Sequence, residues 1–248
     1  MTADDSSLHP LAEEFASQLT DLTRGVLGED SPAFVAVNLG KHVRVTPISE
    51  KSGDEIGQRI ALHINGEPTL SLLARYYCVW DGPNAYLAID RTDIHLFFEG
   101  SADPLLRLEY VRDWRNPPGA HLQVHAHRDE WAYLLRLSER GRPHRGLRRR
   151  RLPRLAEMHF PVGGHRMRPA LEDMLLFLER ELAVDVIPGW EDVLGRHLRD
   201  WRRRQLRAAV RDAPEEAAAE LRALGYEINA PAVPGPRPDS DVVRLFWP

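Results

Sequence analysis

Cysteine and long apolar runs are scarce in this sequence, and each shortage excludes a class of protein. The single cysteine, Cys78, excludes a disulfide scaffold and a cysteine-based zinc site. No run approaches the roughly 18 apolar residues of a membrane helix, so we expect no membrane partner. The acidic N-terminus does not have the pattern of a signal peptide, and we expect a cytoplasmic protein. Motifs for nucleotide-binding loops and for the nucleophile elbow of hydrolases are also missing.

The charge that is present is unevenly distributed. Of the 248 residues, 43% are hydrophobic and 28% are charged, which leaves enough apolar material for a core, and the net charge is −4. Residues 1–33 are acidic, whereas residues 140–154 hold eight arginines and no acid. Such a cationic segment binds phosphate groups without reading sequence, so it favours an anionic partner such as nucleic acid. An exposed, solvated loop is the alternative interpretation.

The hydrophobic pattern changes along the chain. Apolar residues at three- and four-residue steps predict a helix over 9–27, ended by Gly28. Short β-branched and aromatic runs between turn residues then predict an antiparallel meander of about six to eight strands. From about residue 129 the pattern is helical. The predicted fold class is α+β: an N-terminal helix, a curved antiparallel sheet and a helical C-terminal part.

We divide the chain into three regions. Residues 1–138 hold the first helix and the sheet, residues 139–167 form an arginine-rich linker with a Gly-Gly turn, and residues 168–248 form a helical region with a proline-rich tail. The apolar end of that tail, residues 242–247, is predicted to dock as a strand, because loose apolar tails are uncommon.

The segment HLQVHAH, residues 121–127, carries the main candidate site. Side chains alternate along a strand, so its histidines and Gln123 face one side while Leu122 and Val124 face the other, which is predicted to be the buried core face. The histidine face is then exposed to solvent or lines a groove. A solvated strand with chance histidines remains the alternative.

The surrounding residues 107–127 resemble the TumE-like family of bacterial toxins. They contain a strand, an Arg-Asp pair, a proline turn and a second strand that ends in clustered histidines. The resemblance implies a toxin or defence protein that acts on nucleic acid, with Arg112, Asp113, His125 and His127 at the matching positions.

A second resemblance is to the cupin metal-binding pattern. Gly119, His125, His127 and Glu130 are similar to the first cupin motif, and residues 161–165 are similar to the second. This resemblance implies that His125 and His127 would hold a metal ion if one is bound.

The leading hypothesis is a nucleic-acid-associated protein, possibly a nuclease that needs no metal or other cofactor. Two imidazoles and an arginine suffice for RNA cleavage, because one imidazole takes the 2′-hydroxyl proton, another protonates the leaving oxygen, and the arginine neutralises the phosphate. The predicted acid/base pair is His125 and His127, with His121 or His165 in support and Arg112 at the phosphate.

The remaining predicted phosphate ligands are arginines of the linker and of the residues that follow it. They are Arg148, Arg149, Arg150, Arg151, Arg166 and Arg168. Two alternatives stay open: a non-enzymatic module that binds a partner protein through the sheet and the arginine segment, and a cupin-like metal-binding protein.

Overall fold

A computed structural model of the chain describes residues 8–48, 58–81, 86–112, 120–124, 129–140 and 168–229. Within these ranges it has five helices and seven strands. The helices are α1 (Leu8–Leu27), α2 (Asp129–Arg140), α3 (Leu171–Leu182), α4 (Trp190–Asp212) and α5 (Pro214–Ala223). The strands are β1 (Phe34–Asn38), β2 (Val43–Pro47), β3 (Ile60–Ile64), β4 (Glu67–Trp80), β5 (Leu87–Phe98), β6 (Pro104–Val111) and β7 (Ala120–Val124).

The strands form one antiparallel sheet in the order β1-β2-β4-β5-β6-β7. Strand β4 is long enough to pair with β2 along its C-terminal half and with β3 along its N-terminal half. The predicted α+β fold class is therefore confirmed. Residues 87–98, which the sequence pattern divides between two strands, form the single strand β5.

Helix α1 covers one face of the sheet because its apolar residues repeat at helical spacing. The buried stripe contains Leu8, Ala12, Ala16, Leu19, Leu22 and Val26. The helix ends at Gly28, whose φ of 111° is open to glycine at little cost and whose N–H donates to the Arg24 carbonyl at 2.9 Å.

Helix α3 belongs to the same hydrophobic core as the sheet and α1. The sequence places Leu171, Leu175, Leu178 and Leu182 at helical spacing on one stripe, and all four are buried. Asp173 accepts a hydrogen bond from the Ala170 backbone N–H at 3.0 Å, which satisfies a donor at the start of the helix. The core thus runs from the sheet into the C-terminal region.

A carboxylate links the turn between β3 and β4 to the segment between α3 and α4. Asn65 and Gly66 both have positive φ, as a two-residue hairpin turn requires. Their backbone N–H groups donate to the two oxygens of Asp185 at 3.0 and 2.7 Å, and the Asp185 N–H donates to the His63 carbonyl at 2.8 Å. We call this contact the Asp185 bridge.

Cys78 lies in the middle of the sheet. Its side chain is fully buried in β4, next to an irregularity in the β4–β5 register between Tyr77 and Cys78. Burial raises the pKa of the thiol to about 12, because the thiolate loses its hydration there.

The predicted burial of β7 is wrong. Residues 120–124 do form a strand, and Leu122 and Val124 lie opposite Leu108 and Leu106 of β6. The two β6 leucines are buried, but Leu122 is 42% and Val124 is 37% exposed. The alternation therefore predicted correctly which side of the sheet the two residues face. It did not predict that they are exposed, because β7 is the edge strand of the sheet in the described ranges.

Candidate functional site

The face of the sheet opposite α1 is polar over five strands. Side chains at alternate positions point to the same face, and the strand register places their cross-strand partners beside them. We define the polar sheet face as Arg44 of β2, Arg75 and Tyr77 of β4, Arg91, Asp93 and His95 of β5, Arg107 and Glu109 of β6, and His121 and Gln123 of β7.

Two rows of directly opposed residues form the centre of this face. In the first row Arg75, Asp93, Glu109 and His121 lie side by side across four strands. In the second row, one step along the strands, Leu73, His95, Arg107 and Gln123 do the same. Cations, carboxylates and imidazoles therefore lie within reach of each other.

The Glu109 carboxylate lies between two imidazoles. Its Oε1 is 2.7 Å from His95 Nε2 and its Oε2 is 3.3 Å from His121 Nε2. The three side chains are only 12%, 16% and 9% exposed for Glu109, His95 and His121. Glu109 is thus hydrogen-bonded to His95 and within ion-pair distance of His121, which come from different strands. We call these three residues the histidine cluster.

His95 is held in a form suited to accept a proton. Burial lowers its pKa from the ordinary 6.5, and although the hydrogen bond to Glu109 opposes this shift, burial is the larger effect. The neutral ring donates from Nε2 to Glu109, so Nδ1 keeps its lone pair.

Arg91 neutralises the other carboxylate of the group. Its Nε donates to Asp93 Oδ1 at 2.8 Å, and the Asp93 side chain is only 3% exposed. This ion pair raises the pKa of Arg91. Asp93, His95 and Glu109 have ligating atoms within 4.8 Å of one another, which is close enough for one metal ion.

Two further arginines next to the cluster have a donor without a partner. Arg75 lies opposite Asp93, and Arg107 lies opposite His95. The Nε atoms of both arginines are buried and make no hydrogen bond within the described residues. A buried guanidinium donor that lacks an acceptor favours an anionic ligand.

Of the histidines predicted from the sequence, the structure places His121 in this cluster. His125, His127 and His165 lie outside the described residues, as do Asp113, Arg148 to Arg151, Arg166 and residues 242–247. Their predicted roles stay predictions.

Arg112 and Arg168 lie away from His121, on the other side of the sheet. The Arg168 guanidinium is 4.3 Å from the Tyr110 ring and 5.1 Å from the Trp201 ring. Tyr110 follows Glu109 in β6 and so points to the opposite face. Arg112 is close enough to Arg168 to lower its pKa, in addition to the larger effect of burial. The structure therefore does not bring these two arginines together with His95 and His121.

His95 and Glu109 are the residues of the cluster that the sequence analysis missed. In the sequence they stand in ordinary alternating strands, DIHLFF and LLRLEYV. The available signal was that polar residues interrupt the apolar pattern on one face of both strands. Which of them meet His121 depends on the register, which the sequence does not fix.

A second group of buried acids lies at the start of α3, on the core side. Burial raises the pKa of Glu172 to about 7, and the neighbouring Asp173 charge adds to this shift. Burial also raises the pKa of Tyr76, with a further contribution from Glu172. This group packs between helix and sheet and contributes nothing to the polar sheet face.

None of the helices in the described part of the chain combines the length and apolar character of a membrane span. Comparison with models of protein families, with curated proteins and with solved structures finds no significant match. The polar sheet face, with Glu109 between two histidines and arginines on either side, is therefore the basis for a functional assignment.

Proposed function

We propose that the polar sheet face cleaves RNA by transesterification without a metal ion. The observation that carries the proposal is the position of Glu109 between His95 and His121, beside two arginines with open donors. Two oriented imidazoles and a phosphate-binding cation are the groups that this reaction needs.

In the proposed reaction the ribose 2′-oxygen attacks the adjacent phosphorus. His95 Nδ1 takes the 2′-hydroxyl proton as the new P–O bond forms. His121 gives a proton to the 5′-oxygen as the P–O5′ bond breaks. The products are a 2′,3′-cyclic phosphate and a 5′-hydroxyl, and Glu109 keeps both rings oriented throughout.

Arg75 and Arg107 bind the phosphate in this proposal. They lie in the rows that contain Asp93 and His95, so both can reach a phosphate seated over the cluster. Hydrogen bonds from their buried Nε atoms to the phosphate oxygens become stronger as negative charge accumulates on those oxygens in the transition state.

The proposal moves the acid/base roles from His125 and His127 to His95 and His121. The substrate is still a nucleic acid, as the sequence analysis predicted. The proposal also fits the toxin or defence role that the resemblance of residues 107–127 implies. The arginine-rich residues 140–154 would add affinity for the RNA backbone without sequence preference.

The test is cleavage of single-stranded RNA by the purified protein in the presence of EDTA. We expect H95A and H121A each to lower the rate by about 10²–10⁴, because each removes one proton transfer. The control is H63A, which changes an exposed histidine of β3 away from the cluster and should leave the rate unchanged. Melting temperatures of all three variants separate lost chemistry from lost structure.

DNA of the same sequence is the matched substrate control. It lacks the 2′-hydroxyl and should remain uncut. Intact RNA after incubation with well-folded protein would contradict the proposal and would favour the alternative of a module that binds a partner protein.

The pH dependence follows from the His95 pKa. The base must be neutral, and burial lowers its pKa below 6.5. We therefore expect the rate to persist below pH 6.5 and to fall as the pH drops through this lowered pKa. A pH–rate profile whose acidic limb lies above pH 6.5 would contradict His95 as the base.

A divalent-metal site is the second candidate function for the same residues. The atoms that ligate one ion at about 2.1 Å lie about 3 Å apart, which is close to the His95–Glu109 distance of 2.7 Å, and Asp93 has a ligating atom within 4.8 Å of both. The ion pair of Asp93 with Arg91 and the two nearby arginines favour an anion instead. Metal bound at one ion per chain, lost in H95A and E109Q, together with activity abolished by EDTA, would favour the metal candidate.

A further inference from the structure

A groove lies beside the cluster on the same side of the sheet. Its volume is about 500 Å³, and it is lined by Gln58, Arg59, Ala61, Ser71, Glu99 and the loop 100–102. Ala61, Ser71 and Phe97 form the row next to the one that contains His95. The two rows are separated by about 6.7 Å along the strands, since each residue rises about 3.3 Å.

Arg59 presents a fixed plane to this groove. Its guanidinium carbon is 3.4 Å from the centre of the Phe97 ring, and Nη1 donates to the Ser101 carbonyl at 2.9 Å. The ring and the hydrogen bond hold the guanidinium in one orientation. Guanidinium planes are surfaces on which unstacked nucleobases stack.

Glu99 supplies an acceptor in the same groove. It follows the last residue of β5, and its backbone N–H donates to the Thr69 carbonyl at 3.0 Å, which fixes the main chain. The exposed Glu99 carboxylate makes no hydrogen bond or ion pair with any of the described residues. It therefore has two oxygens to offer a ligand.

We propose that this groove binds guanine and makes guanosine the nucleotide on the 5′ side of the cleaved bond; this inference rests on the proposed RNA cleavage. Guanine has adjacent N1–H and N2–H donors on its pairing edge, and a carboxylate accepts from both. The other nucleobases lack this pair of adjacent donors. The base stacks on Arg59 while Glu99 reads its edge.

The spacing of the two sites agrees with a single nucleotide. A base in the groove and a phosphate over His95 and Arg107 would be separated by one row of side chains. This separation is similar to the distance between the base of a nucleotide and its own 3′-phosphate. The 2′-hydroxyl then lies beside the cluster, where the proposed base His95 would take its proton.

The experiment is calorimetric binding of guanosine 3′-monophosphate and of the adenosine, cytidine and uridine equivalents to the whole chain at low salt. We expect the guanosine nucleotide to bind about tenfold or more tightly than the others. E99Q should weaken its binding by about 10- to 100-fold, because one acceptor becomes a donor that opposes a guanine N–H. The control is E67Q, an exposed glutamate of the β3–β4 hairpin, which should bind as the unaltered chain does.

R59K tests the stacking plane, since it keeps the charge and removes the planar group. It should weaken all four nucleotides, with the largest loss for guanosine. Equal binding of the adenosine and guanosine nucleotides, or unaltered guanosine binding by E99Q, would overturn the inference.

Guanosine without phosphate separates this inference from the proposed function. It would contact the groove but not the histidine cluster. Weaker guanosine binding by E99Q than by the unaltered chain therefore tests the groove alone. RNA cleavage without preference for guanosine would support the proposed function and refute the guanine site. Guanosine binding without any RNA cleavage refutes the proposed function and leaves a guanine-binding groove.

Discussion

Glu109 and Glu172 are both buried glutamates, and their surroundings give them different properties. Two imidazoles lie within 3.3 Å of the Glu109 carboxylate, on the polar sheet face. Glu172 lies between α3 and the sheet, where burial dominates and raises its pKa to about 7. The first carboxylate suits chemistry, and the second costs stability when it ionises.

Replacing Glu172 by glutamine should therefore change how stability depends on pH. The ordinary pKa of 4.5 rises to about 7 on folding, so the folded chain binds more protons between these values and its unfolding free energy falls as the pH rises from 4.5 to 7. The loss is up to about 3 kcal/mol. In E172Q it should disappear, and the variant should be more stable than the unaltered chain at pH 8.

Urea denaturation at pH 5 and pH 8 measures this effect. The control is E220Q, which changes an exposed glutamate of α5. An unchanged difference between the two pH values in E172Q would show that Glu172 is not the group responsible.

Only part of the histidine cluster can be predicted from the sequence. His121 was identifiable because three histidines are close together in residues 121–127. His95 and Glu109 are 26 and 12 positions before it, and they meet it only through the β5–β6 and β6–β7 registers. Pairing between strands is a non-local property, so composition and spacing do not predict it.

At the scale of elements, α1 and α4 approach each other closely at Gly25 of α1. A Cβ atom at this position would lie 2.6 Å from Val193 Cγ1 of α4. Gly195, two residues further along α4, has only an ordinary contact of 3.7 Å with Arg199 Nη1. Both glycines lie inside helices, and they differ in the space around them, so substitutions at the two positions can be compared directly.

We expect G25A and G195A to change stability in opposite directions. G25A should lower the unfolding free energy by about 1–3 kcal/mol, because the added methyl group overlaps the β-branched side chain of Val193. G195A should raise it by about 0.5–1 kcal/mol, since alanine favours the helix. Urea denaturation checks both values, and V193A should reduce the cost of G25A. A stabilising G25A would contradict the close packing of α1 on α4.

Helices and strands differ in how well their sequences predicted them. The stripes of α1 and α3 depend on spacing within one segment. That of α3 is buried throughout, and that of α1 is buried except at Leu11 and Phe15, which are partly exposed. The β7 leucine and valine alternate correctly, yet their exposure depends on whether another element covers the edge of the sheet. Periodicity indicates which side a residue faces, and only tertiary packing decides whether that side is covered.

At the scale of the whole molecule, segments distant in the sequence share one core. Helix α1 packs on the sheet and on α4, and Arg204 of α4 donates to Gln18 of α1 at 2.8 Å. The Asp185 bridge adds a contact between residues about 120 positions apart. The sheet, α1, α3 and α4 therefore form one folded unit within the described ranges.

Removing the Asp185 carboxylate should weaken this connection. D185A leaves the Asn65 and Gly66 N–H groups to water, and we expect a loss of about 1–2 kcal/mol in the unfolding free energy. D185N keeps one acceptor oxygen and should lose less. Equal stability of D185A and the unaltered chain in urea denaturation would show that solvent replaces both hydrogen bonds fully.

The burial of Cys78 gives the chain an internal reporter of opening. The thiol is the only one in the sequence, lies in the central strand β4, and has a pKa of about 12, so an alkylating reagent meets almost no thiolate in the folded state. Alkylation then proceeds through the rare openings that expose β4, and its rate measures how often they occur. A weakened Asp185 bridge that loosens only the hairpin turn would leave this rate unchanged, whereas one that releases the C-terminal helices from the sheet would increase it.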